Sequence, residues 1–258
     1  MMRRLIVPFV VLLALGSCAA SWMQFKSVPP DGGQPQTVTG LLRVPDGGGR
    51  YPAVVLLPDC DGVGPHERRW ARELAEAGYV SFVIDHHFTR GGGERCDDPM
   101  DPAVLQGDAQ GALEKLAGED YVDAKRMAVL GWGSGGDIAL DLVAASTLLP
   151  GTGGVQFVAA FYPTCEGAGY LREEALIVLP DQYPAAVACQ SYAESQAVDG
   201  EAPVRLVPVS GAAAGFDCEV CPDGYRGQED VYDPAATERV RQVLLEALDR
   251  LIGPESSP

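Results

Sequence analysis

The sequence predicts an α/β fold, a mostly parallel sheet with helices on both faces. Three observations carry this. Strand-like and helix-like segments alternate along most of the 258 residues. Several strand segments are continuous apolar runs, such as PAVVLL at residues 52–57, which suit strands buried on both faces. Two helix starts are marked by Asp-Pro, at Asp101-Pro102 and Asp233-Pro234, with Asp as N-cap and Pro at the first helical position. The hydrophobic fraction, 47%, is enough for one buried core. A formal charge of −17 argues against a nucleic-acid partner, whose phosphates need Lys and Arg, and reads as solubility.

Residues 37–44 alternate and read as the first strand, and 51–57 as a second, buried one. Residues 67–77 read as a helix with Trp70, Leu74 and Ala77 on one side, ended by Gly78. The next buried strand is 79–84. The helix opened by Asp101 runs to 117, followed by a strand at 127–131 and a helix at 135–148. Strands at 155–161 and 176–179, a helix at 185–197 and a last strand at 204–209 complete the alternation. The final helix carries Val240, Leu244, Leu248 and Leu251 at helical spacing, and Gly253-Pro254 stops it. Ligands of such sheets bind beyond the carboxyl ends of the strands. A site therefore belongs in the loops after Leu57, Ile84, Gly131, Leu179 and Val209.

The first 18 residues read as a targeting segment: Arg3 and Arg4, then an apolar run at 5–15 too short to span a bilayer comfortably. It closes on Leu15-Gly16-Ser17-Cys18, which resembles the bacterial lipobox, whose Cys is acylated and becomes the new N-terminus. That resemblance implies an exported chain, held to the membrane by a lipid anchor at Cys18. Ala19 rather than Asp after Cys18 implies the periplasmic face of the outer membrane. The alternative is an ordinary secretory signal with a chance cysteine. Residues 19–36, with SVPPDGGQPQ at their end, read as a flexible tether, 37–253 as the domain and 254–258 as a tail.

Of the seven cysteines, Cys60, Cys96, Cys165, Cys189, Cys218 and Cys221 follow Cys18. An even number in an exported chain points to disulfides, with many pairings open to sequence alone. The favoured set is Cys165 with Cys189, which sit after successive strands at one edge of the sheet, then Cys60 with Cys96, and Cys218 with Cys221.

The segment MAVLGWGSGGDIAL at 127–140 combines a strand, a Gly-rich turn and a helix start, the layout of a nucleophile elbow. Together with PAVVLLPDCDGVGPHERRWARELAEAGYV, Arg90-Gly91, FYPTC and GAAAGFD, it resembles the dienelactone hydrolases, α/β-hydrolase-fold enzymes, over roughly residues 38–252. The resemblance implies ester or lactone hydrolysis by a triad without a metal or cofactor. It also locates three departures. The nucleophile position falls on Gly133 and the base position on Ala214, and no His follows His87. The oxyanion loop reads Pro58-Asp59-Cys60-Asp61-Gly62, so its Cys60 amide, paired with that of Ser134, stands between two carboxylates. Asp181 is the one triad remnant the resemblance leaves.

These residues predict a folded, catalytically degenerate member with a pocket for a small-molecule ligand. The alternative is an active hydrolase using Ser134 with a displaced base, although that register puts Trp132 where a small residue is needed. His66 lies in a loop near the site; His86 and His87 follow a strand's carboxyl end but diverge as neighbours and make no metal site. A third reading, redox chemistry at the Cys218-x-x-Cys221 pair, is weakened by the Pro222-Asp223-Gly224 turn that follows. Replacing Cys18 with Ala is expected to abolish palmitate incorporation and leave the leader attached. Normal processing and membrane retention of that variant would rule the lipoprotein reading out.

Overall fold

A computed structural model describes residues 19–91, 96, 99–144, 154–181, 183–199, 204–221 and 231–253. The leader with Cys18 and the 254–258 tail lie outside the described residues, as do residues 145–148 of the helix expected to reach 148.

Eight strands form one sheet: β1 (Ala20–Lys26), β2 (Thr37–Arg43), β3 (Tyr51–Leu57), β4 (Val80–Asp85), β5 (Val122–Trp132), β6 (Val155–Phe161), β7 (Glu174–Pro180) and β8 (Val204–Val209), in the order β1-β2-β4-β3-β5-β6-β7-β8. From β4 to β8 every pairing is parallel; β1 and β2 join antiparallel at one edge. The helices are α1 (Pro65–Glu76), α2 (Pro102–Ala117), α3 (Ser134–Ala144), α4 (Ala186–Asp199) and α5 (Pro234–Ile252). Side chains of α1 and α5 pack one face of the sheet, and those of α2, α3 and α4 the other. The central strands are buried on both sides, as their unbroken apolar runs require. Asp101 and Asp233 cap α2 and α5: the Asp101 carboxylate accepts from the Ala103 amide, and that of Asp233 from Ala235 and Ala236.

The reading of 19–36 as a tether is corrected. Residues 20–26 are a strand pairing with β2 over its full length. The Pro- and Gly-rich stretch is the hairpin loop, closed by the Ser27 amide donating to the Gln36 carbonyl at 3.0 Å. β1 escapes detection because it is an edge strand whose one fully buried side chain is Phe25. It is held from beneath by α2. A Cβ at Gly107 would stand 2.0 Å from the Val28 carbonyl oxygen, and one at Gly111 2.1 Å from that of Lys26. Only glycine lets helix and hairpin backbones touch there.

Among the described residues, three disulfides join Cys60 to Cys96, Cys165 to Cys189 and Cys218 to Cys221, the expected pairs. The first two pin loops at the carboxyl edge of the sheet.

Candidate active site

The carboxyl ends of β3 and β5 meet at a tight turn. β5 ends at Trp132, α3 begins at Ser134, and Gly133 between them takes φ +49°. Its amide donates to the Phe161 carbonyl at 3.0 Å and its carbonyl accepts from Asp137 at 3.2 Å. A Cβ at Gly131 would stand 2.1 Å from the Gly135 carbonyl oxygen, and one at Gly135 2.2 Å from that of Leu57. The two positions that must stay small thus flank Gly133 symmetrically. The β5 ladders run unshifted into the turn, pairing Gly131 with Leu57 and Trp132 with Phe161. Trp132 is fully buried in the α1–α5 core. The elbow is therefore centred on Gly133, and Ser134 is the first residue of α3.

The amides of Cys60 and Ser134 converge on one atom. That atom is Oδ1 of Asp59, which accepts from the Cys60 amide at 2.8 Å, the Ser134 amide at 3.0 Å and the Ser134 hydroxyl at 2.8 Å. The start of α3 adds a favourable dipole for the charge. The same carboxyl group covers Gly133: a Cβ there would lie 2.3 Å from Oδ2 and 2.5 Å from Cγ of Asp59. An internal carboxylate thus takes both the anion position and the volume where a side chain at 133 would begin.

Ala214 is half-buried against the α1–α5 core. Asp181 lies exposed at the end of β7, where its carboxylate accepts from the Gly211 amide at 3.2 Å and ties β7 to the loop after β8. The centre of that loop's anchorage is Asp217, to which the sequence reading assigned no role. It is fully buried. Its Oδ2 accepts from His66 Nε2 at 2.9 Å, Trp132 Nε1 at 3.0 Å and Trp70 Nε1 at 3.1 Å, and its Oδ1 from the Tyr162 hydroxyl at 3.1 Å. His66 Nδ1 donates to Glu67 at 2.9 Å, and the other Glu67 oxygen accepts the Gly64 amide at the start of α1. Burial alone would lower the His66 pKa, but the flanking Asp217 and Glu67 carboxylates outweigh it and raise the pKa to about 9. For Asp217, burial opposes the charge, but His66 and the indole and phenol donors hold the carboxyl below its ordinary range. No sequence signal beyond the polar Asp217 following buried Phe216 could have found a cluster drawn from four separate segments.

His86 and His87 part company. His86 is buried and donates Nδ1–H to Asp108 at 2.8 Å, while His87 is only half-buried. Arg90 clamps both Asp108 oxygens, at 2.7 and 2.8 Å. Burial resists charge on Asp108, but His86 and Arg90 keep its pKa below the usual value. Between this group and the elbow lies a cavity of about 450 Å³, lined by Asp59, His86, Leu105, Ser134, Asp137 and Asp141 among others. The Asp137 carboxylate clamps the Thr164–Cys165 turn through three hydrogen bonds of 2.9–3.1 Å. Among the described residues, Cys60, Asp61 and Cys96 cluster as a metal site would, but both sulfurs are in a disulfide and offer no thiolate.

Residues 38–252 match the dienelactone hydrolase family. A "probable 2-oxo-3-(5-oxofuran-2-ylidene)propanoate lactonase" of Bradyrhizobium sp. is 30% identical over 100 residues, 36% of this chain and 40% of that protein. The match thus spans well under half of that relative's length. The fold is similar to a dienelactone hydrolase-like promiscuous phosphotriesterase from metagenomic libraries, with TM-score 0.71 and 18% identity over 91% of this chain and 100% of that one. It is also similar to the dienelactone hydrolase of Anabaena variabilis, with TM-score 0.67 and 16% identity over 90% and 99% of the two chains.

The Asp217–His66 pair predicts a pH dependence of stability. His66 is raised from an ordinary 6.5, so its contribution is complete below 6.5 and lost as pH rises through about 9. Asp217 is lowered, so its contribution is present above the ordinary 3.8 and lost as pH falls below it. Urea unfolding of wild type should lose stability between pH 6.5 and 9. His66→Gln should remove that alkaline loss and lower stability at pH 6 by about 3–5 kcal/mol, the usual penalty for leaving one buried charge unpaired. An unchanged alkaline slope in His66→Gln would contradict the assignment.

Proposed function

The chain belongs to the dienelactone hydrolase family, and within it we propose an exported, lipid-anchored protein that binds a small molecule without hydrolysing esters or lactones. The observation that carries this reading is the Asp59 carboxylate seated on the Cys60 and Ser134 amides above Gly133. Hydrolysis by this fold needs an attacking oxygen, a base and a place for the developing oxyanion. Here the first two positions hold Gly133 and Ala214, and the third is taken by a negative charge. Losing a triad nucleophile or base costs on the order of 10⁶ in turnover, and losing both costs little more because they act together. An oxyanion about 4 Å from a carboxylate adds roughly 4 kcal/mol of repulsion at an effective dielectric near 20.

A second reading rests on the 2.8 Å bond from the Ser134 hydroxyl to Asp59, which offers Ser134 a proton acceptor. Against it, the same oxygen also takes the two amides that an oxyanion would need. The anchor is supported by Leu15-Gly16-Ser17-Cys18. With β1 starting at Ala20, a lipid on Cys18 would leave no slack and hold the domain against the periplasmic face of the outer membrane.

Purified wild type should neither turn over an activated ester or lactone at a useful rate nor label with a serine-directed phosphonate. Turnover that disappears in Ser134→Ala would sink the proposal. The constructive variant needs three changes. Gly133→Ser with Ala214→His should stay unlabelled, because the new Cβ meets Asp59; adding Asp59→Gly should give labelling at position 133. Equal labelling with and without Asp59→Gly would contradict the role given to Asp59.

A further inference from the structure

Two exposed aromatic rings meet at the β1 edge of the sheet. Trp22, on β1, is 52% exposed, and Phe88, in the turn after β4, is 71% exposed. Their ring centroids lie 6.5 Å apart, with the planes 19° from parallel. Apolar residues exposed singly need no explanation. A stacked pair drawn from two distant segments is a patch, and a patch left open to solvent marks a contact surface.

The backbone holds both rings outward. Trp22 pairs across the ladder with Leu41, which packs in the α1–α5 core, so the indole projects on that side of the sheet. There the exposed Arg68 of α1 places its guanidinium over the ring, 5.6 Å from the centroid. The turn that presents Phe88 is fixed by Asp85, whose Oδ1 accepts from the His87 amide at 3.2 Å and the Phe88 amide at 3.0 Å. Arg90, at the end of that turn, is anchored on both oxygens of the buried Asp108.

The place of the patch along the chain points to its occupant. Cys18, the proposed anchor, precedes Trp22 by four residues. Four residues reach at most about 14 Å when fully extended. Acyl chains on Cys18 would enter the hydrocarbon at its boundary, and the headgroup region above that boundary is roughly 5–7 Å deep. The anchor would thus hold the indole within a short step of the headgroups. Tryptophan favours that layer, where its rings meet apolar groups and its N–H meets polar ones. Arg68 beside it suits a lipid phosphate, which accepts from a guanidinium at two oxygens. The formal charge of −17 opposes an anionic surface as a whole, so zwitterionic headgroups fit this face best.

We propose that Trp22, Phe88 and Arg68 form the membrane-contact face of the domain, with the two rings seated among zwitterionic phospholipid headgroups and Arg68 on a phosphate. The inference rests on the lipid anchor at Cys18 and adds the orientation in which that anchor holds the domain.

The chain carries its own probe. It has three tryptophans, and Trp70 and Trp132 are 1% and 0% exposed, which leaves Trp22 as the one open to a quencher from outside. The full chain, processed in a bacterial envelope and purified in detergent, is reconstituted into vesicles of plain or dibrominated phosphatidylcholine. Trp22 emission, taken as wild type minus Trp22→Phe, should fall at least twofold in the brominated vesicles, while the emission of Trp22→Phe stays unchanged. Phe88→Asp should reduce that quenching at least twofold with the chain still bound through its acyl groups. If either variant does not fold, wild type still decides, because its two other indoles are buried. Trp22 unquenched and open to acrylamide, Trp22 shielded from acrylamide yet unquenched as a second copy would shield it, or quenching only by brominated phosphatidylglycerol would each overturn the proposal. Quenching indifferent to Phe88→Asp would do the same. The mass of the same preparation reads the acylation of Cys18. An unacylated Cys18 defeats the anchor and this inference with it, whereas an acylated chain with Trp22 unquenched defeats the contact face alone.

Discussion

The loop after β3 and the turn from β5 into α3 are arranged around the Asp59 carboxylate and the two amides it accepts from. The bond set needs three conditions at once. The Cys60 amide must face the elbow, and its loop is pinned by the Cys60–Cys96 disulfide. The Ser134 amide must be free of helical partners, as it is at the first turn of α3. Position 133 must carry no Cβ, because the carboxyl group stands where a Cβ would be. Glycine at 133 and aspartate at 59 are therefore one structural solution. Each makes the other tolerable, and the amides that would otherwise await a ligand are satisfied internally.

The loop after β8 is held in place by a buried carboxylate. Asp217 fixes it by drawing donors from α1, β5 and the turn after β6 onto one buried carboxylate. Tyr162, which supplies one donor, sits at φ +41°, a conformation uncommon for a residue with a side chain. The elbow strand and the loop after β8 are thus locked together through Trp132 and Asp217. The scaffold of this edge thus rests on a buried ion pair, His66 with Asp217.

Most of the fold was legible because buried parallel strands and capped helices leave strong local marks, as PAVVLL and the two Asp-Pro starts do. The elbow register was legible for a related reason: the glycines at 131 and 135 are dictated by backbone contacts across the turn. β1 was not, because an edge strand needs only one buried residue and its pairing partner is supplied by β2. Asp59 was read as a charge opposing an oxyanion. That it would itself occupy the anion position depends on a contact between residues 75 positions apart, which no local pattern encodes. Asp217 escaped for the same reason, its donors lying as far as 151 residues away. The carboxylate-lined cavity likewise arises from loops after β3, β4 and β6 together with α2 and α3.

The seat of the Asp59 carboxylate can be observed directly through the backbone amides of Cys60 and Ser134 in a proton–nitrogen correlation spectrum. If both donate to the same oxygen, Asp59→Ala should move both amide protons upfield together and accelerate their exchange with solvent, while the Trp132 indole proton, bonded to Asp217, stays where it is. Two amide resonances indifferent to Asp59→Ala, or a change at Cys60 alone, would contradict the placement of an internal carboxylate in the anion position.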